Sequence, residues 1–240
     1  MTDADEPMDV VFTSPHPDDL EICCGGAIAK LAKLGYRVAM LHMTSGEPTP
    51  NGTEEKRRAE AARAAEVLGA AAMAILPMQN RELMDCPASR YVVGTALRRF
   101  RPKIVVTMAA RTPLASPDHW QSELLAEASV FYSRLTQWDD RFDGTPPHSV
   151  SKLVYRQIPI GLQMVRWPTS FTVDISETIE QKLEAIACYE SQFDAARLAM
   201  LHHWIRSGAG FEGGVAGFAY GETYCLPRPY VTQDMVKLLG

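Results

Sequence analysis

The residues best equipped for chemistry stand together in Pro15-His16-Pro17-Asp18-Asp19. His16 and Asp19 can reach one divalent ion while Asp18, between them, points elsewhere and stays free as a base. Imidazole with carboxylate suits Zn²⁺, which in catalytic sites takes three protein ligands and keeps one position open for water. The prolines on either side of His16 restrict the backbone, so the side chains are held in one arrangement. The plainer alternative is that His16 satisfies backbone groups and both aspartates cap a helix, whose first turn favours acids. Capping explains one Asp; two acids and a pinned His exceed what it needs. A second cluster, Ser116-Pro117-Asp118-His119, offers His119 as the third ligand, against the plainer reading of a first-turn helix His beside a capping Asp118.

The elements that must position these clusters follow from hydrophobic periodicity. Asp9–Ser14 is a short apolar run stopped by Pro15 and Pro17, hence a buried strand entering a loop. Leu20, Cys24, Ala27, Ile28, Leu31 and Leu34 lie on one face of a 3.6-residue period, and Gly35 ends that helix. Tyr36–Thr44 is the next strand. The alternation continues with a helix from Thr53 or Glu54 to Leu68, a strand over Ala72–Pro77, a helix over Arg90–Phe100, a strand over Lys103–Met108 and a helix over Asp118–Leu135. After a Gly/Pro-bearing loop (Gly144–Pro147) come strands at Leu153–Ile158 and Phe171–Ile175, then a helix to Tyr189 with Ser176 as N-cap. The last forty residues show no clear pattern. Repeated strand and helix predict an α/β fold: a Rossmann-like, doubly wound, mostly parallel sheet with helices on both faces. Both polar clusters then fall at strand-to-helix junctions, where open parallel sheets bind ligands. Gly25-Gly26 inside a helix costs about 1 kcal/mol per residue relative to Ala, so close backbone packing is expected there. The pair lacks the Gly-x-Gly-x-x-Gly pattern of a dinucleotide site.

Composition bounds the rest. The chain has 240 residues with hydrophobic residues at 46% and charged ones at 22%, values of a folded globular protein. At this length roughly 70–75% of the extended surface can be buried, so no structural metal is needed and any ion is functional. With neither repeat nor linker, residues 1–240 parse as one domain, the motifs lying within 9–135 and the remaining 136–240 shaping the pocket and oligomer contacts. A net charge of −5 offers no attraction for nucleic acid or anionic membrane. No run reaches the length of a membrane span, and an acidic amino terminus is unlike a signal peptide, so a cytoplasmic location is expected. Five cysteines without metal-type spacing are expected to be reduced.

The segment His16-Pro-Asp-Asp-Leu-Glu-Ile-Cys-Cys-Gly-Gly26, with a strand ending Thr44-Ser-Gly-Glu47, closely resembles the LmbE/PIG-L family of zinc-dependent N-deacetylases. Arg57-x-x-Glu60 with the Ala-rich Ala61–Gly69 looks like the family's second helix, and Ser116-Pro-Asp-His119 resembles its His-Pro-Asp-His motif. The resemblance reaches to about residue 135; beyond it only Ser191-Gln192 and Tyr220-Gly221-Glu222 look familiar. It implies that His16, Asp19 and His119 bind Zn²⁺, that Asp18 is the general base and that Arg57 contacts substrate, although Lys56-Arg57-Arg58 also reads as a solvated charge run. Glu47 is a candidate for the same rim. Ser116 departs from the pattern: it takes the place of a His and cannot carry positive charge, so it can contact substrate only as a neutral group. Proton delivery then falls to Asp18; His202, His203 and His148 are less suited substitutes.

The implied reaction is hydrolysis of the N-acetyl group of an amino sugar or N-acetylglucosaminyl conjugate, with zinc activating water and Asp18 taking its proton. Two alternatives stay open: a zinc amidase acting on a thiol conjugate or other small amide, and a non-catalytic sugar-binding protein on the same scaffold. The partner is a small N-acetylated sugar or glycoconjugate, and the resemblance implies a homo-oligomer. Trp138, Tyr155, Arg156 and Trp167 are candidates for a sugar-facing wall, although core packing suits each better.

Overall fold

The computed structural model describes residues 6–109, 115–157, 169–229 and 233. Strands β1 (Val10–Ser14), β2 (Val38–Thr44), β3 (Ala72–Met78) and β4 (Ile104–Ala109) alternate with helices α1 (Asp19–Lys33), α2 (Glu54–Leu68) and α3 (Pro87–Phe100). The order then runs α4 (Asp118–Tyr132), β5 (Lys152–Gln157), β6 (Thr169–Asp174), α5 (Ile179–Ala187), α6 (Ala195–Ala216) and β7 (Gly221–Leu226). All seven strands form one sheet in the order β3-β2-β1-β4-β5-β7-β6. β1 to β5 are mutually parallel, and β7 runs antiparallel to both β5 and β6.

Every residue of β1 and β2 is buried, as expected of central strands covered on both faces, which is why they read as continuous rather than alternating apolar runs. One face packs against α1, α2 and α5 through Ile28, Leu68, Ala185 and Tyr189. The other packs against α3 and α4 through Val93, Leu97, Leu125 and Ala126. This is the doubly wound, Rossmann-like sheet that the sequence predicts. β1 pairs with β2 on one side and β4 on the other. The strand order therefore reverses at β1, opening a crevice beyond its carboxyl end.

Three departures have physical causes. Helix α3 starts at Pro87, three residues before Arg90, because proline at the first helical position needs no donor and is preset in φ. Ser176 does not cap α5. Its hydroxyl donates to Asp174 and accepts from Tyr220 N, and the helix starts at Ile179 after Thr178, whose hydroxyl donates to Gly26 O. The unassigned terminal region holds α6 and β7. Helix α6 is glycine-rich and lacks a clear apolar stripe in sequence, yet Asp194 caps it and Gly213 allows Tyr220 to approach, where a Cβ would lie 2.6 Å from the Tyr220 carbonyl carbon. Ile158 and Trp167 lie outside the described residues. Among those residues no helix is long and apolar enough to cross a membrane.

Gly25 and Gly26 have the packing role expected of them: a Cβ on Gly26 would sit 2.6 Å from Ile175. That close approach brings Glu222 of β7 against α1. Its carboxylate accepts from Gly26 N (3.0 Å), Ala27 N (2.9 Å), Tyr224 OH (2.9 Å) and Lys182 Nζ (2.6 Å), all in the interior. Burial alone would raise this carboxyl, but Lys182 and Arg156 hold it below its ordinary 4.5. The pair's contribution is therefore complete at neutral pH and is lost as pH falls below that value. Glu222→Gln keeps the shape but strands a buried lysine, a defect worth about 3–5 kcal/mol; urea unfolding at pH 7 is expected to show a loss of that size.

Candidate active site

The proline-flanked segment leaves β1 at its carboxyl end, and the Ser116–His119 cluster opens α4 beyond the adjacent strand β4. Strand adjacency brings clusters about a hundred residues apart into contact. His16 Nδ1 lies 3.1 Å from Asp19 Oδ2, and His119 Nε2 lies 3.3 Å from Asp19 Oδ1. The donor atoms of His16, Asp19 and His119 all fall within 4.8 Å of one another. Asp18 diverges from this group on a left-handed backbone, with φ 95°. Its side chain makes no capping bond to α1; Oδ2 accepts instead from Arg57 Nη2 at 3.0 Å. Two neighbouring carboxylates thus face different partners.

The charges account for the electrostatics of the metal-free protein. Burial works against the charged form of His16, but bonds to Asp118 and Asp19 outweigh it and raise the imidazole to about 10. Burial would likewise raise Asp19, yet the two histidines hold it well below the ordinary carboxylate range. Asp18 goes the other way: burial pushes it up to about 6 against the pull of Arg57. Burial acts on both acids; they are driven apart because Asp19 sits between two imidazoles, whereas Asp18 has the pull of Arg57 set against the charge of Asp19 beside it.

Behind the site lies a buried layer. Arg57 is only 3% exposed, so it is not a solvated charge. It bonds Asp18 and the Pro17 carbonyl and lies over the Tyr189 ring, 5.3 Å from its centroid. Tyr189 OH donates to Glu21 at 2.7 Å. Asp118 is no cap either. Its Oδ2 accepts from His16 Nε2 at 3.1 Å and from Arg81 N at 2.6 Å, so it fixes the ring that presents Nδ1 to Asp19. Only the pairing of β1 with β4 reveals this role. Ser116 lines the same cavity, and its Oγ accepts from Asp118 N at 3.3 Å.

The cavity measures about 650 Å³, room for a ligand well beyond an acetyl group. Its outer wall comes from Phe193, Arg197, Met200, Leu201 and Trp204, on α6 and the turn before it, a region the sequence pattern left unassigned. Trp138, Tyr155 and Arg156 are not among the lining residues. Trp138 stacks on Tyr91, while Tyr155 and Arg156 are buried against Glu127 and Glu212. Glu47 turns from the rim to bond Thr49. His148 bonds the Pro102 carbonyl, and His202 and His203 lie on α6 outside the lining set.

Fold and site define the class: a doubly wound α/β protein with a candidate metal site beyond the carboxyl ends of its strands. Residues 11–129 match the family model for PIG-L, described as GlcNAc-PI de-N-acetylase. The diacetylchitobiose deacetylase of Thermococcus kodakarensis is 30% identical over 223 residues, covering 89% of this chain and 80% of that protein. The solved N,N'-diacetylchitobiose deacetylase of Pyrococcus horikoshii superposes with a TM-score of 0.78 at 27% identity, covering 99% of this chain and 91% of that one. The chain belongs to the PIG-L/LmbE family of deacetylases. The fold alone does not set the reaction: a 4-carboxy-2-hydroxymuconate hydratase from Pseudomonas putida has the same fold, with a TM-score of 0.79, 22% identity and coverage of 95% and 100% of the two chains.

A carboxylate that orients a metal-binding histidine typically contributes a factor of about 10–100 in metal affinity. Asp118→Asn is expected to weaken the hold of this candidate site on added Zn²⁺ by about that factor, read by competition with a chromogenic chelator.

Proposed function

We propose that this protein is a zinc-dependent de-N-acetylase that hydrolyses the acetamide of an N-acetylglucosamine-type sugar or glycoconjugate. The observation that carries the reading is the divergence of Asp18 and Asp19: one carboxylate joins two imidazoles while its neighbour stays beside the same cavity as a base. The donor set fits the ion, since two imidazole nitrogens and one carboxylate oxygen are the ligand types zinc takes in catalytic sites. His16, Asp19 and His119 would hold it, and it would supply Lewis acidity to the amide carbonyl and to the attacking water.

The chain's own residues supply the rest. Asp18 takes the proton of the attacking water on Oδ1, its Oδ2 being engaged by Arg57. Arg57, anchored by the Pro17 carbonyl and the Tyr189 ring, keeps that carboxylate turned towards the cavity, and we assign its contact with substrate to the small part of it that lines that cavity. Ser116 offers substrate a neutral hydroxyl and no proton source. Asp18 therefore returns its proton to the leaving nitrogen as the carbon–nitrogen bond breaks, releasing acetate and a free amine. The sugar-type substrate is supported by the named relatives and by a cavity that joins polar groups at its floor to an apolar and aromatic wall.

The test is acetate release from N-acetylglucosaminides by zinc-loaded protein. Asp18→Asn is expected to keep stoichiometric zinc and lose turnover by at least about a hundredfold; a variant that stays fully active overturns the base assignment. In the absence of metal, Asp19 is already satisfied by the two histidines. Chelation is therefore expected to abolish acetate release while far-ultraviolet circular dichroism and cooperative thermal unfolding persist.

A further inference from the structure

The Ser191-Gln192 pair follows α5 and takes no part in the proposed proton transfers. Gln192 lines the cavity of the metal-site residues, and its Nε2 bonds Ser191 Oγ at 2.8 Å and Thr49 Oγ1 at 3.2 Å. Each of those hydroxyls has a second partner. Ser191 Oγ is 2.6 Å from Glu60 Oε2, whose other oxygen accepts from Ser191 N at 2.8 Å. Thr49 Oγ1 is 2.9 Å from Glu47 Oε1, and Glu47 Oε2 accepts from Thr49 N at 2.5 Å.

Proton counting fixes the amide. A carboxylate only accepts, so Ser191 and Thr49 must each spend their single hydroxyl proton on Glu60 and Glu47. Both oxygens can then only accept from Gln192. Its NH₂ group supplies two protons and both are used, which decides which end of the amide faces the relay. The carbonyl oxygen Oε1 is left over, and among the described residues nothing donates to it. Glu60 is fully buried and part of α2, so the orientation is anchored in the same helix that holds Arg57 under Asp18.

We infer that Gln192 is a specificity-determining residue whose amide oxygen accepts a hydrogen bond from a ring hydroxyl of the sugar, with Glu60 and Glu47 acting as positioning residues through Ser191 and Thr49. This rests on the deacetylase reading for the identity of the ligand as a hexosamine. A fixed acceptor selects for a hydroxyl and against its deoxy or ether analogue, because the unpaired oxygen must then give up solvent for nothing.

The test crosses enzyme variants with substrates. Zinc-loaded wild type, Gln192→Met and Glu60→Gln are assayed for acetate release from methyl N-acetylglucosaminide and its 3-, 4- and 6-deoxy analogues. Calorimetric titration with the corresponding glucosaminides follows on the same samples. Wild type is expected to discriminate against one deoxy position by about tenfold, the size of one hydrogen bond. Gln192→Met is expected to lose that discrimination while keeping its preferences at the other positions. Glu60→Gln frees the Ser191 proton and lets the Gln192 amide turn over; the same discrimination is expected to shrink without loss of zinc. Should Gln192→Met not fold, this second variant decides. Equal discrimination in wild type and variants, or none in wild type, overturns the inference. If no acetate is released by wild type, the deacetylase reading fails separately. Titration then reads Gln192 alone: a deoxy penalty present in wild type and absent in the variants supports it, and any other pattern overturns it.

Discussion

Asp18 holds a left-handed backbone, with φ 95°, that an L-residue adopts at a cost of order 1–3 kcal/mol. At that strained position two adjacent carboxylates take different partners, Arg57 for one and two histidines for the other, and the site depends on this division. The bond from Arg57 to Asp18 and the pull of His16 and His119 on Asp19 compensate the strain. The site thus concentrates charge and strain in a few residues at the end of the central strand.

Such a concentration of charge has to be supported from beneath. Arg57 and Glu21 are both buried, and Tyr189 lies between them, giving its ring face to the guanidinium and its hydroxyl to the carboxylate. The guanidinium is answered by Asp18, while burial pushes the Glu21 carboxyl up to about 7, so Tyr189 links an ion pair to an acid whose charge the interior opposes. A second, separate network lies farther down α1, where Glu222 engages Lys182 and the Gly26 and Ala27 amides. The floor of the cavity and the packing of the carboxy-terminal half of the chain are thus joined through one helix.

Much of this was legible in the residues themselves. Runs such as Val38–Thr44 read as fully buried strands, and the strand–helix alternation implies a parallel sheet. The candidate ligands could be picked out because two prolines and a strand end leave His16 and Asp19 few alternatives. Other features were illegible for definite reasons. Ser176 has the chemistry of a cap, but Asp174 and Tyr220 compete for its hydroxyl. Asp118 looks like any first-turn acid until His16 arrives from a strand more than a hundred residues away. Helix α6 hides behind its glycines, which weaken local propensity while permitting the close approach of Tyr220.

By itself the amino-acid sequence determined what depends on local order: which segments pair as buried strands, where the chain must turn, and which side chains stand at those turns with the right chemistry. The tertiary structure alone decided what depends on proximity across the chain. It made Arg57 a partner of Asp18 instead of a surface charge, set Asp118 to orient His16, and built the cavity wall from α6. It also turned the amide of Gln192 by way of Glu60 and Glu47. The reason is that periodicity reports burial and direction along one segment, whereas hydrogen-bond partners and enclosure depend on which segments the sheet order sets side by side.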